Sequence, residues 1–198
     1  PGIFDIDKLK DVSKNTISVM SADQVYDEVT AWAKDFDPQL YTLLTADEQK
    51  AKAIFAIGRG GAKPRKDIAI WSEVKDYLAF FYDELYVPAT AYPENVSTQD
   101  ALDILTRYRS LYSPADDGET WFNKVRELGE SLGFAAKPKD YKKNPDQYKG
   151  HVGDVSQVIR LAITGRTNSP DLCSVMQILG EEVCQQRLAQ AIELLSNR

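Results

Sequence analysis

Apolar residues recur along this chain at the spacing of α-helices. In residues 152–162, Val152, Val155, Ile159 and Ala162 share one face, because residues three and four positions apart lie on the same side of a helix. No segment alternates apolar and polar residues over a sustained stretch, so any strands are short. The pattern therefore predicts an all-α protein.

Predicted helix starts combine a capping residue with the apolar stripe that follows it. Ser21 and Gln24 have the spacing of a capping box. Thr45 with Glu48 is predicted to open a helix that ends at Gly58. The full set of predicted starts is Ser21, Asp37 with Pro38, Thr45, Ser72, Ser97 and Gly118.

A polar corner is predicted within residues 160–180, where one helix ends and the next begins. Gly165 ends the first helix, since glycine adopts the left-handed cap conformation without strain. Ser169 and Pro170 are predicted to be the N-cap and first residue of the next helix, which Gly180 ends. The corner gathers groups that can hydrogen-bond unstacked base edges: Arg160, Arg166, Asn168 and the Ser169 hydroxyl.

The residues alone leave two interpretations of this corner open. Polar side chains at helix ends most often serve as ordinary caps. The alternative is a nucleic-acid site. In that case Asp171 at the helix start favours a base over a phosphate, because its carboxylate repels an anion.

The best internal boundary is residues 87–95, where two prolines bracket a stretch without helical periodicity. The predicted domains are therefore residues 1–92 and residues 93–198. A second loop is predicted at residues 136–150, which are rich in lysine and contain two prolines.

The net charge of −6 conceals two basic stretches. Residues 137–166 carry seven Lys/Arg against three Asp, and residues 58–66 carry four cations and no acid. Tyr141 and Tyr148 lie among the lysines, a mixture that can stack bases while holding phosphates. This distribution suits local binding of a polyanion, although solvated lysine loops explain it equally well.

No catalytic or metal site is predicted. His151 begins a partial match to the His-x-Gly-His signature of class I aminoacyl-tRNA synthetases, but Asp154 replaces the second histidine. The glycines of residues 58–61 lack the GK[ST] of a phosphate-binding loop. One histidine and two separated cysteines cannot form a zinc site. We therefore expect no catalysis from this chain on its own.

The composition, 43% hydrophobic and 10% aromatic, is that of a globular protein. The longest apolar stretch, Tyr77–Tyr82, is too short to span a bilayer. Asp5 and Asp7 interrupt any signal peptide, so a cytoplasmic protein is expected. Cys173 and Cys184 do not have CxxC spacing and are predicted to be buried thiols.

Three stretches carry a family resemblance. They are IFDIDKLKDVSKN (residues 3–15), GGAKPRKDIAIWSEVKDYLAFFYDELY (residues 60–86) and VIRLAITGRTNSPDLCSVMQILGEEVCQQRL (residues 158–188). The third contains an Arg-x-Ala-x-Thr-Gly core and a Ser-Pro-x-Leu turn. Together they resemble the C-terminal half of a bacterial glutamyl-tRNA synthetase. The resemblance implies two consecutive helical bundle domains of the anticodon-binding cage type, which follow the catalytic half of a longer enzyme.

The resemblance also implies roles for individual residues. Arg160 matches an arginine that contacts an anticodon base, and Ser169, Pro170 and Leu172 match turn residues around the anticodon loop. Arg65 resembles the residue that recognises the third anticodon base and separates glutamate from glutamine tRNA, and Lys63 in the same Lys-Pro-Arg motif is also expected to contact the anticodon. We expect contacts to the tRNA backbone from Lys66, Lys142, Lys143, Lys149 and Arg166.

The partner implied by the resemblance is glutamate tRNA, or also glutamine tRNA, without any membrane contact. The longer enzyme is expected to be a monomer that uses ATP and magnesium, with no cofactor bound by this fragment. One rival interpretation is a helical protein-interaction module that docks through the aromatic stripe of residues 77–86, although regular spacing favours a core role for that stripe. A free-standing enzyme is the third interpretation.

Overall fold

The computed structural model describes residues 5–197, and these residues confirm the predicted all-α class. Their α-helices are α1 Ile6–Val19, α2 Ala22–Phe36, α3 Pro38–Ala46, α4 Glu48–Ala56, α5 Val74–Leu78, α6 Thr98–Leu111, α7 Gly118–Ser131, α8 Pro138–Lys143, α9 Val152–Thr164, α10 Leu172–Leu179 and α11 Glu181–Ser196. In this part of the chain, strand-like pairing is limited to one isolated bridge between Ala135 and His151. Ile3 and Phe4, which begin the first matched stretch, lie outside the described residues.

The chain divides into two compact units, one ending at Leu85 and the other beginning at Tyr86. Residues 86–92, assigned to the first domain from sequence, therefore belong to the second unit. The Tyr86 hydroxyl donates a hydrogen bond to the carbonyl oxygen of Ala162 at 3.2 Å, and its ring lies 3.7 Å from the guanidinium carbon of Arg187. The division lies next to the stretch of residues 87–95 that two prolines bracket. These contacts with partners far along the chain place Tyr86 in the second unit.

Helices α2, α3 and α4 pack together in the first unit. The predicted capping box is confirmed, since Ser21 Oγ accepts from the Gln24 amide at 3.1 Å and Gln24 Oε1 accepts from the Ser21 amide at 2.8 Å. Asp37 caps α3 as predicted, by accepting from the Leu40 amide at 3.0 Å. The buried core of this unit includes Val25, Val29, Leu40, Leu44, Ile54 and Phe55.

The start of α4 differs from the prediction. Thr45 lies inside α3, where its hydroxyl donates to the carbonyl oxygen of Tyr41 at 2.8 Å. Asp47 caps α4 instead, because its Oδ1 accepts from the Lys50 amide at 2.9 Å. Threonine and aspartate are both good N-caps. The sequence pattern therefore did not decide between Thr45 and Asp47, which are two positions apart. Gly58 has the left-handed φ of 71° expected after a helix end.

The aromatic stripe of residues 77–86 is largely buried, but it is not one continuous helix. Two 3₁₀ turns, Trp71–Glu73 and Ala79–Phe81, flank α5 and bend the segment. Phe80 is 2% exposed and Phe81 is 1% exposed. Large aromatic rings buried to this extent stabilise a core, so the stripe does not offer the docking face that the interaction-module interpretation needs.

Helices α6, α7, α9 and α11 surround the core of the second unit, and α10 contacts α7 and α11. A polar chain crosses this core, because Trp121 Nε1 donates to the Tyr108 hydroxyl at 2.7 Å and that hydroxyl contacts the Met176 sulfur at 3.5 Å. Burial raises the pKa of Tyr108, which therefore stays protonated. Apolar core residues include Ile104, Leu105, Val125, Val155, Val158, Ile159 and Leu188.

The lysine-rich segment of residues 136–150 is more ordered than predicted. It contains α8 and a 3₁₀ turn at Pro145–Gln147, each beginning with a proline at a first helical position. No residue of α8 is buried. The helix therefore has no apolar stripe, which is why the sequence pattern predicted only a loop.

The predicted cap at Ser97 is confirmed. Its hydroxyl oxygen accepts a hydrogen bond from the Asp100 amide at 3.0 Å, at the start of α6.

The two cysteines lie in the interior of the protein. Cys173 and Cys184 are buried free thiols, as predicted. Burial raises the pKa of Cys184 to about 11, so this thiol stays protonated near neutral pH. None of the helices in residues 5–197 is both long and apolar enough to cross a lipid bilayer.

Candidate nucleic-acid interface

The predicted corner is a turn of residues 165–171 that joins α9 to α10. Gly165 ends α9 with a φ of 70°, the left-handed conformation predicted for it. A Cβ atom at this position would also overlap the carbonyl oxygen of Val87. Glycine is therefore required both by the backbone torsion and by the close approach of a neighbouring segment of the same unit.

The N-cap of α10 is Asp171, and the prediction of Ser169 for this position is wrong. Oδ1 of Asp171 accepts from the amide and the hydroxyl of Ser174, at 2.8 and 2.7 Å. Pro170 precedes the helix and is not its first residue. A carboxylate near the positive end of the helix dipole is favourable, whereas the sequence prediction gave more weight to the preference for proline at the first position.

Ser169 is a buried link between Arg160 and the turn. It is 7% exposed; its hydroxyl accepts from Nη1 of Arg160 and donates to the carbonyl oxygen of Pro170 at 2.9 Å. Nη1 of Arg160 also reaches the Pro170 carbonyl oxygen at 3.2 Å. Ser169, Pro170 and Leu172 are all buried, so they form the floor of the corner and fix the orientation of the half-buried Arg160.

A row of polar side chains on α9 fastens the turn to the helix. Gln157 Nε2 donates to the carbonyl oxygen of Thr167 at 2.9 Å, and the Thr164 hydroxyl accepts from the Arg166 amide at 3.1 Å. Together with Arg160 they occupy positions i, i+3 and i+7, which share one helical face. The sequence pattern indicated Arg160 but not Gln157, although the spacing of three residues between them was the available signal.

The solvent-facing rim of the corner is polar. Thr167, Asn168 and Asp171 are exposed, while Arg160 and Arg166 are half-buried. Hydroxyl, amide and guanidinium groups can hydrogen-bond the edge of an unpaired base, and a guanidinium plane can also stack on its face. The Asp171 carboxylate opposes a phosphate at the same point, so this arrangement suits a base.

The basic stretch of residues 58–66 contributes fewer cations to the surface than its sequence suggests. Nη1 of Arg59 donates to the carbonyl oxygen of Ile17 at 2.6 Å, so this residue links α1 to the segment that follows α4 in the same unit. Burial lowers the pKa of Arg59. Lys63 and Lys66 are exposed, and they are the members of this stretch best placed to meet a polyanion.

Arg65, the predicted reader of an anticodon base, is paired with Asp67. Arg65 Nε lies 2.6 Å from Oδ2 of Asp67, and its Nη2 lies 2.9 Å from Oδ1. The aliphatic stem of Arg65 lies on Gly58, where an added Cβ would be 2.7 Å from Cδ. Two parallel bonds hold a guanidinium in one plane, so Arg65 has a defined orientation without any ligand.

The lysines predicted to contact phosphate differ in their surroundings. Lys142 and Lys143 are exposed in the last turn of α8. Lys149 instead donates to Oδ1 of Asp100 at 2.6 Å. Burial acts to raise the pKa of Asp100, but hydrogen bonds from Lys149 and Ser97 outweigh it, so the pKa is lower than usual. Lys149 is therefore already engaged with a carboxylate.

Helix α9 separates these lysines from the corner. The Tyr141 ring meets the His151 ring edge-on with centroids 5.8 Å apart, which places α8 beside the start of α9. The corner lies at the other end of this 13-residue helix, about 20 Å away at about 1.5 Å per residue. A phosphate bound by Lys142 would thus be several nucleotides from a base held at the corner.

The described residues contain no group of three or more His, Cys, Asp or Glu side chains that could hold a metal ion. His151 serves as the N-cap of α9, because its Nδ1 accepts from the Gly153 amide at 3.0 Å.

A family model described as an anticodon binding domain matches residues 24–192. The match covers α3 to α10 in full, and therefore includes Arg65, the lysine-rich segment and the corner. The chain belongs to the anticodon-binding domain family.

Proteins named glutamate–tRNA ligase are similar to nearly the whole chain, which confirms the resemblance found in the sequence. Identity is 42% over 96% of the chain for the protein of Acetivibrio thermocellus, 44% over 97% for Clostridium beijerinckii and 43% over 95% for Sorangium cellulosum. The matched part is C-terminal and covers 35%, 36% and 33% of those proteins. The chain thus spans about a third of the length of the curated relatives it matches.

Proposed function

We propose that this chain recognises the anticodon of a tRNA as the C-terminal part of a longer glutamate–tRNA ligase. The observation that carries the proposal is the corner of residues 165–171, where a half-buried arginine is fixed beside an exposed polar rim. Membership of the anticodon-binding family and similarity to glutamate–tRNA ligases support the same role. The buried aromatic stripe argues against the protein-interaction module.

At the corner, an unpaired anticodon base meets Arg160 and the rim formed by Thr167 and Asn168. Its edge accepts and donates hydrogen bonds there, while Ser169 keeps the guanidinium from turning away. Base contacts of this kind supply sequence specificity, whereas contacts to phosphate supply register. The buried residues Pro170 and Leu172 act through the shape they give to the turn.

In the first unit, Arg65 recognises the third anticodon base, with Lys63 close to it in the chain. Through this contact the protein binds glutamate tRNA in preference to glutamine tRNA. If the longer enzyme charges both tRNAs, the contact accommodates both. Orientation of Arg65 by Asp67 supports such a role, because a fixed fork loses little entropy when it binds. Contacts to the tRNA backbone come from Lys66, Lys142, Lys143, Lys149 and Arg166.

The remaining part of the longer protein activates glutamate with ATP and magnesium and transfers it to the tRNA. Residues 5–197 contain no group of three or more His, Cys, Asp or Glu side chains that could hold a metal ion. The longer protein functions as a monomer in the cytoplasm. Pyrophosphate exchange with glutamate and ATP tests the free-standing enzyme interpretation, and we expect none from this chain alone.

Titration of glutamate tRNA into the chain and its Arg160→Ala variant tests the proposal. The variant should lose about 1–3 kcal/mol of binding free energy, or roughly fivefold to more than a hundredfold in affinity. Arg107→Ala is the matched control, because Arg107 is an exposed arginine that lines a groove between α6 and α7. If the parent and the Arg160→Ala variant bind tRNA with equal affinity, the corner does not contact the tRNA.

The same titration at two salt concentrations separates tRNA recognition from the interaction-module role. Neutralising phosphates releases counterions, so the affinity of a tRNA-binding protein falls steeply as salt rises. An affinity for tRNA that does not change with salt would contradict the proposal. Undetectable binding at low salt would contradict it as well.

A further inference from the structure

The C-terminal end of α9 is held by two side chains that the proposed base contact does not use. Arg187 is only 4% exposed, and its Nη1 donates to the carbonyl oxygen of Ile163 at 2.8 Å. Its guanidinium carbon lies 3.7 Å from the centre of the Tyr86 ring. The Tyr86 hydroxyl donates to the carbonyl oxygen of Ala162 at 3.2 Å. We refer to Tyr86 and Arg187 as the bracket.

The bracket supplies hydrogen-bond donors to two carbonyl groups in the last turn of α9. The carbonyl groups at a helix end have no partner within the helix and need one elsewhere. Leu161 accepts from the Gly165 amide at 2.9 Å, and the bracket supplies donors to the next two carbonyl groups. A cation at this end is also favoured by the helix dipole, and a buried charge persists only where it is paired in this way.

The fixed helix end leads directly into the proposed tRNA contact. Gly165 follows the bracketed turn, and residues 166–170 are then tied back to α9 by Gln157 and Arg160. A displacement at Ala162 or Ile163 would therefore move both the start of the corner and the helix that carries Arg160. Geometric precision matters here, because base recognition depends on the orientation of donors and acceptors.

We propose that Tyr86 and Arg187 are positioning residues that set the corner in the orientation required to bind a nucleobase. This inference rests on the proposed tRNA role of the corner. Neither side chain needs to touch the tRNA, because each acts through the carbonyl groups of α9. The bracket therefore controls affinity for tRNA without contributing to the electrostatic attraction of the phosphate backbone.

Tyr86→Phe tests the bracket with the smallest change, because it removes one hydroxyl and keeps the ring under Arg187. Tyr108→Phe is the matched control. This variant also removes one hydroxyl from the second unit, but from its core, where the hydroxyl contacts Trp121 and Met176. A general loss of stability would affect both variants, whereas a positioning role belongs to Tyr86 alone. Affinity is compared at a temperature where all variants are folded, as judged by circular dichroism.

Tyr86→Phe should weaken the binding of glutamate tRNA about threefold to tenfold, the range for one lost hydrogen bond. The slope of affinity against salt should stay unchanged, because no phosphate contact is lost. Hydrogen exchange of the amides at residues 165–169 should become faster in the free chain. Tyr108→Phe should change neither the affinity nor the exchange of those amides.

Arg187→Lys provides a second variant, which keeps the cation but removes the planar group that stacks and binds, and it should weaken binding similarly. Parent-like affinity of Tyr86→Phe, or equal losses in Tyr86→Phe and Tyr108→Phe, would overturn the positioning role. Unchanged exchange at residues 165–169 would overturn it too. These outcomes are distinct from failure of the proposed function, which Arg160→Ala and the parent titration decide separately.

Discussion

Arg65 and Asp67 lie two positions apart in the chain and are joined by two parallel hydrogen bonds, of 2.6 and 2.9 Å. This geometry fixes the plane of the guanidinium, which a single contact would leave free to rotate. The stem of Arg65 also lies against Gly58, where even a methyl group would collide with it. The predicted base-reading arginine of the first unit is thus oriented by its own neighbours.

Asp67→Asn should weaken the binding of glutamate tRNA about twofold to tenfold, because Arg65 loses one charged partner and its fixed plane. Arg65→Ala should lose about 1–3 kcal/mol and reduce the preference for glutamate over glutamine tRNA. Filter binding with both tRNAs measures each effect. If the ratio of the two affinities is the same for Arg65→Ala and the parent, Arg65 does not read the discriminating base.

Gly165→Ala should destabilise the second unit by about 1–3 kcal/mol or more, because the left-handed torsion and the Val87 carbonyl oxygen both oppose a Cβ atom. Urea unfolding followed by circular dichroism measures the free energy of unfolding. Gly61→Ala is the control, since nothing lies within 4 Å of a Cβ at that position, and it should change stability by no more than about 0.5 kcal/mol. Equal effects at both positions would contradict the structure of the turn.

Asp171→Ala should lower the free energy of unfolding by about 0.5–2 kcal/mol, the usual loss for an N-cap. Asp171→Asn should be close to the parent, because asparagine caps a helix nearly as well as aspartate. Thermal unfolding of the three proteins measures the difference. A parent-like stability of Asp171→Ala would show that α10 does not depend on this cap.

Lys142→Ala should weaken the binding of different tRNAs evenly and reduce the slope of log affinity against log salt by about one unit. Lys149→Ala should reduce the slope less, because Lys149 is already paired with Asp100 and removing it also frees a carboxylate. Titrations at several salt concentrations give both slopes. An unchanged slope for Lys142→Ala would place this lysine outside the interface.

Stability should also depend on pH through Asp100. Its pKa in the folded state is lower than usual, so the Lys149 pair stabilises the fold above about pH 4. That contribution is lost as the pH falls through the folded-state pKa. Lys149→Met should therefore lower stability by about 0.2–1 kcal/mol at pH 7, and the difference from the parent should be smaller at pH 2. Lys143→Met, a change at an exposed lysine of α8, provides the control in urea unfolding at both pH values.

Local sequence patterns predicted the elements whose signals are local. The capping box at Ser21, the caps at Asp37 and Ser97 and the left-handed Gly165 all depend on residues within one helical turn. The same patterns were wrong at Thr45 and Ser169, where a second capping residue lies two positions further on. In both places the aspartate is the N-cap, because its carboxylate also interacts favourably with the helix dipole.

Helix α8 and the exact position of the boundary between the units depend on features that local patterns do not contain. Helix α8 buries none of its residues, so hydrophobic periodicity carries no information about it. The division after Leu85 follows from contacts of Tyr86 with residues near positions 162 and 187. Such contacts exist only after the chain has folded.

The sequence by itself determined the all-α class, the buried thiols, the polar turn after α9 and the family resemblance, because helical periodicity, capping chemistry and motif order are properties of short segments. Only the tertiary structure decided which cations are engaged by carboxylates or carbonyl groups, as at Arg59, Arg65 and Lys149. It also decided that Arg187 holds the end of α9. Whether a charged side chain is buried, paired or exposed depends on which distant segments pack against it. The sequence of a single segment does not contain that information.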